Sequence, residues 1–391
     1  MATWENNFAK SNKRGAAPLW ERMKKKLSIL GCLLAAGLCA LAQGSLEKGL
    51  SADAKGLNEL AEKYYREAVD TNAQARLRLG LLLERKEHFK EASQWLAKSD
   101  SSTLAMTHLA VCLAEQYRWP EARRAAEIAI ESASSHDSLL RASAMATLAL
   151  TYCTDENYTN ALSWAHKAQR EDPKSARAHN VVGIISFYKG NENEAIQSFK
   201  KALQVDPKNI DAYFNLGTVY CYRNRYELAI STLKNGLKVE RNSIKLIYCL
   251  GWAYLLKGEK EHAIECLETV IRYDSSYMNA YNRLGDIHYG NADYNQAIAC
   301  YRKASQIAPT LSEPYRLMGR TYAEKGEFGK ALRNYQKAVE INKKDAETYC
   351  KIAELYAKQK QPKREQANYK RAAKLGHAEA QKWCTQRGIA Y

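Results

Sequence analysis

The chain is 391 residues long, with ten cysteines, 20 glycines and a formal net charge of +16. The first 42 residues hold seven basic and two acidic side chains, and residues 343–391 hold twelve against five. Positive charge is therefore gathered at the two ends, and since no nucleic-acid-reading motif accompanies it, nucleic acid ranks below protein as a partner.

The N-terminal end reads as an export signal. Lys24, Lys25 and Lys26 precede an unbroken apolar and small run from Leu27 to Leu41. A basic start, a short apolar core and small residues two apart make a secretory signal peptide, with cleavage expected between Ala42 and Gln43. The run is shorter than the roughly 20 residues of a spanning helix. Met23 stands directly before the lysines, so translation can start there; if Met1 is the start, an uncleaved anchor over 27–42 is the alternative. Lipid attachment fits poorly, because Cys32 comes too early in the run and Cys39 follows Leu38 where a small residue is needed. Residues 1–42 are thus an extension with a signal peptide or anchor.

Over 43–141 the pattern is helical and irregular. Ala61, Tyr65 and Ala68 read as one second helix. Leu79-Gly80 with Ala92 and Leu96 suggest a hairpin, and Ala110, Ala122 and Ala129 another, followed by a Ser-rich connector around residues 132–138. From 142 to 345 the chain becomes periodic. After a unit carrying Ala149, Tyr152, Ala161 and Ala168, glycine returns every 34 residues at Gly183, Gly217, Gly251, Gly285 and Gly319, and Ala353 takes the next slot. Twelve residues after each glycine stands an alanine. Sixteen after stands a large residue: Phe199, Leu233, Leu267, Tyr301, Tyr335 and, following Ala353, Tyr369. Spacings of three and four put these side chains on one helical face, and Lys189-Gly190, Lys257-Gly258 and Lys325-Gly326 break each unit into two helices. A fixed period of this length means stacked helical hairpins, an architecture without a single deep catalytic cleft.

On these residues the chain resembles the tetratricopeptide repeat (TPR) family. Counting the recurring glycine as the eighth position, Tyr213, Tyr281, Tyr315 and Tyr349 fill the fourth, and Tyr220, Tyr254, Tyr322 and Tyr356 the eleventh. Residues 346–391 continue the pattern as a basic cap, and the stretch from Tyr369 to Gln381 also resembles a Sel1-like repeat. The resemblance implies an all-α fold, a right-handed superhelical solenoid of antiparallel hairpins. It further implies a concave surface lined by first helices, which here would present Phe187, Tyr188, Phe214, Tyr222, Tyr248, Trp252, Asn282, Asp286, Tyr289, Arg316 and Arg320. Rigid aromatics with a polar rim are suited to anchoring an extended peptide. The carboxylate clamp of some family members is matched only in fragments, by Asn215 and Lys245.

Other chemistry is sparse. Cysteines beyond residue 42 read as small buried hydrophobes rather than a disulfide framework, since equivalent sites in stacked hairpins lie beyond the reach of a bridge. No Cys-x-x-Cys occurs and the eight histidines are scattered, so neither a metal nor any other cofactor is expected. No phosphate loop or nucleophile elbow is present either. The basic cluster Lys358, Lys360, Lys363, Arg364, Lys370, Arg371 and Lys374 is read as a solvated capping face, with docking of an acidic partner, nucleic acid or anionic headgroups as the alternative. The sequence thus points to a non-enzymatic scaffold binding a protein or peptide in its groove, exported to the periplasm or cell envelope. The alternatives are a tethered subunit of an envelope complex and a cytosolic adaptor acting through its basic hairpins.

Overall fold

The structure, a computed structural model, describes residues 40–391, in which there are 21 helices and no strand. Met23, the lysines 24–26 and most of the 27–41 apolar run lie outside the described residues. The helices form two compact units that divide between Val205 and Asp206.

The first unit holds five hairpins: α1 (residues 40–54) with α2 (Asn58–Ala68), α3 (Ala73–Arg85) with α4 (Phe89–Ala97), α5 (Thr103–Glu115) with α6 (Trp119–Ser132), α7 (Ser138–Thr154) with α8 (Tyr158–Glu171), and α9 (Ala176–Tyr188) with α10 (Glu192–Val205). The second holds another five: α11 (Ile210–Tyr222) with α12 (Tyr226–Val239), α13 (Ile244–Lys257) with α14 (Lys260–Tyr273), α15 (Met278–Gly290) with α16 (Tyr294–Ile307), α17 (Glu313–Glu324) with α18 (Phe328–Ile341), and α19 (Ala346–Lys358) with α20 (Pro362–Lys374). A last helix, α21 (Ala378–Gln386), follows. The repeat pattern accounts for about nine hairpins; the described residues hold ten. The extra one pairs the Ala61–Tyr65–Ala68 helix with α1, which straddles the expected cleavage point.

Local chemistry explains the starts and turns. Several first helices open on a polar N-cap: the side chains of Asn72, Ser102, Ser175, Asn209 and Asp345 each accept a backbone N–H from the first turn. Such a cap satisfies a donor that the helix leaves orphaned. Every hairpin then turns through one left-handed residue, seven places after the eighth-position glycine or alanine. Glycine fills that turn in four hairpins, at Gly56, Gly190, Gly258 and Gly326; Glu87, Tyr117, Glu156, Asn224, Ala292 and Lys360 fill it in the other six. The positive φ of these six explains why glycine spacing alone under-reported the turns.

Packing within each hairpin obeys a size rule. A methyl at Gly183 would lie 2.5 Å from the Phe199 ring, at Gly285 2.5 Å from Tyr301, at Gly319 2.6 Å from Tyr335, at Gly80 2.6 Å from Leu96 and at Gly49 2.6 Å from Tyr65. The large residue sixteen places on is therefore seated directly over its own glycine, rather than between neighbouring hairpins. Where the eighth position is Ala110 or Ala149, the partner shrinks to Ala126 or Ala165, and all four are fully buried. Ala353 breaks the rule with Tyr369. That ring is only partly buried and stacks on Trp383 of α21 instead, centroids 4.3 Å apart and planes at 22°.

Among the cysteines, Cys112, Cys153, Cys221, Cys249, Cys350 and Cys384 are buried, whereas Cys266 and Cys300 are only partly so. The expectation of uniformly buried thiols is corrected to that extent. Cys249 Sγ lies 3.5 Å from Thr218 Oγ1 of the neighbouring first helix.

Candidate protein-binding surface

The eleven residues expected to line a binding surface lie on first helices, two in the first unit and nine in the second. In the first unit Phe187 and Tyr188 close α9 as an edge-to-face pair with centroids 5.9 Å apart, and Tyr188 is 63 % exposed.

In the second unit α11 ends on Tyr222, 59 % exposed, whose ring meets Trp252 of α13 edge-on at 5.4 Å. One helical turn before Trp252, Tyr248 packs at 5.2 Å against Tyr277, a ring that periodicity had not singled out. Phe214 is half-buried on α11, two turns before Tyr222. Edge-to-face pairs of this kind contribute about 0.5–1.5 kcal/mol beyond their buried area, so the rings are pre-set before any partner arrives.

Toward α17 the stripe changes character. The Tyr301 hydroxyl donates to Asp286 Oδ1 at 2.8 Å, and Arg320 reaches the same oxygen at 3.3 Å. The Arg320 guanidinium also lies 4.1 Å above the Tyr289 ring. Burial, reinforced by the Asp286 charge, pushes the Tyr301 hydroxyl well above the usual tyrosine range, so it stays a donor at every physiological pH. Asp286, Tyr289 and Arg320 are thus committed to one another. A cavity of 440 Å³ beside them is lined by Tyr289, Arg316, Arg320, Tyr335, Lys351 and Glu354, with charges of both signs.

Asn282 departs from its expected place. It is only 6 % exposed, and neither its carboxamide oxygen nor its nitrogen has a hydrogen-bond partner among the described residues. Buried in this way it offers little surface to a docked peptide, and leaving it unpaired costs roughly 1–3 kcal/mol.

The basic cluster sits on α19, the following turn and α20. Only Ala372 and Ala373 of α20 are buried. Three of its cations lie over rings of the same unit: Lys358 over Phe328 at 5.3 Å, Arg364 over Tyr356 at 5.5 Å and Arg371 over Tyr349 at 5.8 Å. The arrangement suits a polar outer face closing the stack. Reversing Lys363, Arg364, Lys370 and Arg371 to glutamate is therefore expected to leave a groove-bound partner in place. Loss of that partner in a binding titration would move the site to this end.

Comparison with known proteins bears on the repeats themselves. Residues 183–221 and 319–360 match a family model described as TPR repeat, and residues 244–277 and 278–311 match two models described as tetratricopeptide repeat. The chain contains tetratricopeptide repeats. These TPR matches end at residue 360. No curated protein matches the sequence. Among solved structures, one of MamA is 31% identical, covering 42% of this chain and 97% of that one, with a TM-score of 0.38. YrrB, described as a TPR protein with an unusual peptide-binding site, is 21% identical over 45% of this chain and 91% of its own, TM-score 0.35. A monomeric IFIT1 mutant with m7Gppp-AAAA is 14% identical over 85% of this chain and 90% of its own, TM-score 0.55, a likeness of fold alone.

Proposed function

We propose that this TPR protein is a non-enzymatic scaffold that captures an extended protein segment with apolar side chains on the first-helix face of its second unit. The observation carrying the reading is the Tyr222–Trp252 pair: an exposed ring held edge-on to a second ring on the neighbouring first helix. Exposed aromatics clustered on one face mark interaction surfaces, and aromatic anchors supply most of the energy of such contacts. Phe214 and Tyr248 extend the same face. The test is selection from a random displayed-peptide library by the wild-type protein and by a Tyr222→Ala/Trp252→Ala variant. Enrichment of apolar or aromatic peptides by the wild type alone is expected; equal enrichment by both would remove the site from this face.

Export is the second part of the proposal. It rests on the basic start and apolar run before Ala42. In the folded protein Ala42 and Leu46 are buried in α1, and the Gly49 backbone meets Tyr65 of α2. A chain cut between Ala42 and Gln43 loses the buried Ala42 but keeps Leu46, Gly49 and Ala52, so cleavage leaves most of the α1 packing in place. Among the described residues no helix is long and apolar enough to cross a membrane. Mass spectrometry of the native protein is expected to find a mature N-terminus at Gln43 in a soluble envelope fraction. An intact 27–42 segment in the membrane pellet would instead make the protein a tethered subunit, and an intact chain in the cytosol would favour the basic-adaptor alternative. We read α20 and α21, joined through Gly376 at φ +91°, as a Sel1-like closing unit.

A further inference from the structure

A thiol, an imidazole and a carboxylate converge where α19 meets the start of α21. Ligand atoms of Cys350, His377 and Glu379 all lie within 4.8 Å of one another. Cys350 is buried on α19, His377 is the N-cap residue of α21, and Glu379 stands exposed in its first turn. The spacing hides this from a sequence search, because 27 residues and a whole helix separate the thiol from the imidazole.

The hydrogen bonds of His377 define its state. Nε2 lies 2.9 Å from Glu347 Oε2, a contact that needs the proton on Nε2. Nδ1 accepts a 3.3 Å contact from the Ala380 N–H, so it carries the lone pair. A ring donating one N–H to a carboxylate while keeping the other nitrogen basic is prepared as metal-binding histidines usually are. The thiol has a matching surround. Its Sγ makes a 3.8 Å contact with Glu354 Oε1.

Packing at this end gives a reason for such a tie. The buried members of the core cluster here are Cys350, Ala372, Ala373, Ala380 and Cys384; Tyr349, Tyr369, Trp383 and Ile389 pack around them half-buried, and α21 fully buries only the small Ala380 and Cys384. Apolar burial near 25 cal/mol per Å² offers little from side chains this small.

We propose that Cys350, His377 and Glu379 bind a zinc ion that fastens α21 to α19. The mixed sulfur, nitrogen and oxygen donors suit zinc, a borderline-soft ion, and disfavour magnesium or calcium. Binding displaces the Cys350 thiol proton to solvent, and thiolate and carboxylate together balance the two charges of the ion. The metal takes the Nδ1 lone pair now directed at the Ala380 N–H, while Glu347 remains on Nε2–H as the orienting carboxylate. Water completes the tetrahedron.

The test is titration of the chelator-stripped full-length protein with cobalt(II), followed optically, and with zinc(II), followed by thermal unfolding. One equivalent of cobalt is expected to give a thiolate charge-transfer band in the near ultraviolet, and zinc to raise the unfolding midpoint. Cys350→Ser should abolish the band, while Cys384→Ser, altering a neighbouring thiol of the same cluster, should keep it. Glu347→Gln, which leaves all three ligands in place, should weaken metal binding about 10–100-fold. His377→Ala and Glu379→Gln alter the more accessible ligands and keep the test valid should Cys350→Ser fail to fold by circular dichroism. Absence of a thiolate band in the wild type, or its survival in His377→Ala and Glu379→Gln alike, would overturn the site.

Discussion

Gly285→Ala is expected to destabilise the second unit by about 1–3 kcal/mol, the usual cost of forcing a methyl into a filled core. The added carbon would stand 2.5 Å from Tyr301 Cε1, and that ring is fully buried and tethered to Asp286 by its hydroxyl, so it has nowhere to swing. Tyr301→Ala should cost more, about 3–5 kcal/mol as large aromatic truncations do, because it opens a cavity and strands the Asp286 contact. The informative variant is the double one. Alanine at both positions recreates the Ala110–Ala126 and Ala149–Ala165 pairs of the first unit, so its loss should be clearly smaller than the sum of the two single losses. Urea unfolding followed by circular dichroism reads all three midpoints. Additive losses would mean the two positions do not face one another and would remove the register on which the hairpin assignment rests. Gly251 is a milder case: a methyl there would meet Cys266 Cβ at 3.0 Å, and the same substitution should cost less.

That size rule also shows what the sequence made legible. Glycine period and the large residue sixteen places on were readable because each repeat reuses one contact, so packing leaves its imprint at a constant spacing. The same logic failed where the contact was solved differently. In hairpins with Ala110 and Ala149 there is no glycine to see, and the helix that carries Gly49 begins inside a stretch whose composition reads as an export signal. Six of the ten turns use non-glycine residues in the left-handed conformation, which no single-residue signal announces. The candidate surface divided in the same way. Position within the repeat put Tyr222 and Trp252 on first helices, and the structure brings them together. Position could not say that Asn282 is covered, that Asp286 and Arg320 are satisfied by each other and by Tyr301, or that Tyr277, from a loop, covers Tyr248. Those outcomes depend on side-chain neighbours from different helices, and a repeat pattern carries no record of them. The Cys350–His377–Glu379 group is of the same kind, assembled across two helices that are not adjacent in the chain.

Trp252→Ala is expected to weaken capture of a selected peptide by at least 2 kcal/mol, roughly 30-fold, while leaving helicity unchanged. The asymmetry follows from where the ring sits. Trp252 is partly exposed, and the fully buried Ala253 beside it faces the core in its stead, so truncation removes contact area from the groove more than from the interior. Tyr222→Ala removes the other ring of the pair and should act through the same surface, so the double variant should lose less than the sum of the two. Asp286→Ala supplies the contrast. Its carboxylate holds Tyr301 and Arg320, so its removal should lower the unfolding midpoint and leave peptide affinity within a few-fold of wild type. A Trp252→Ala protein that unfolds early, or one that binds as tightly as wild type, would mark the ring as a packing residue and leave the Tyr222–Trp252 face without a role. The reverse pattern, affinity lost at Trp252 and stability lost at Asp286, separates the part of the stripe open to a partner from the part closed upon itself.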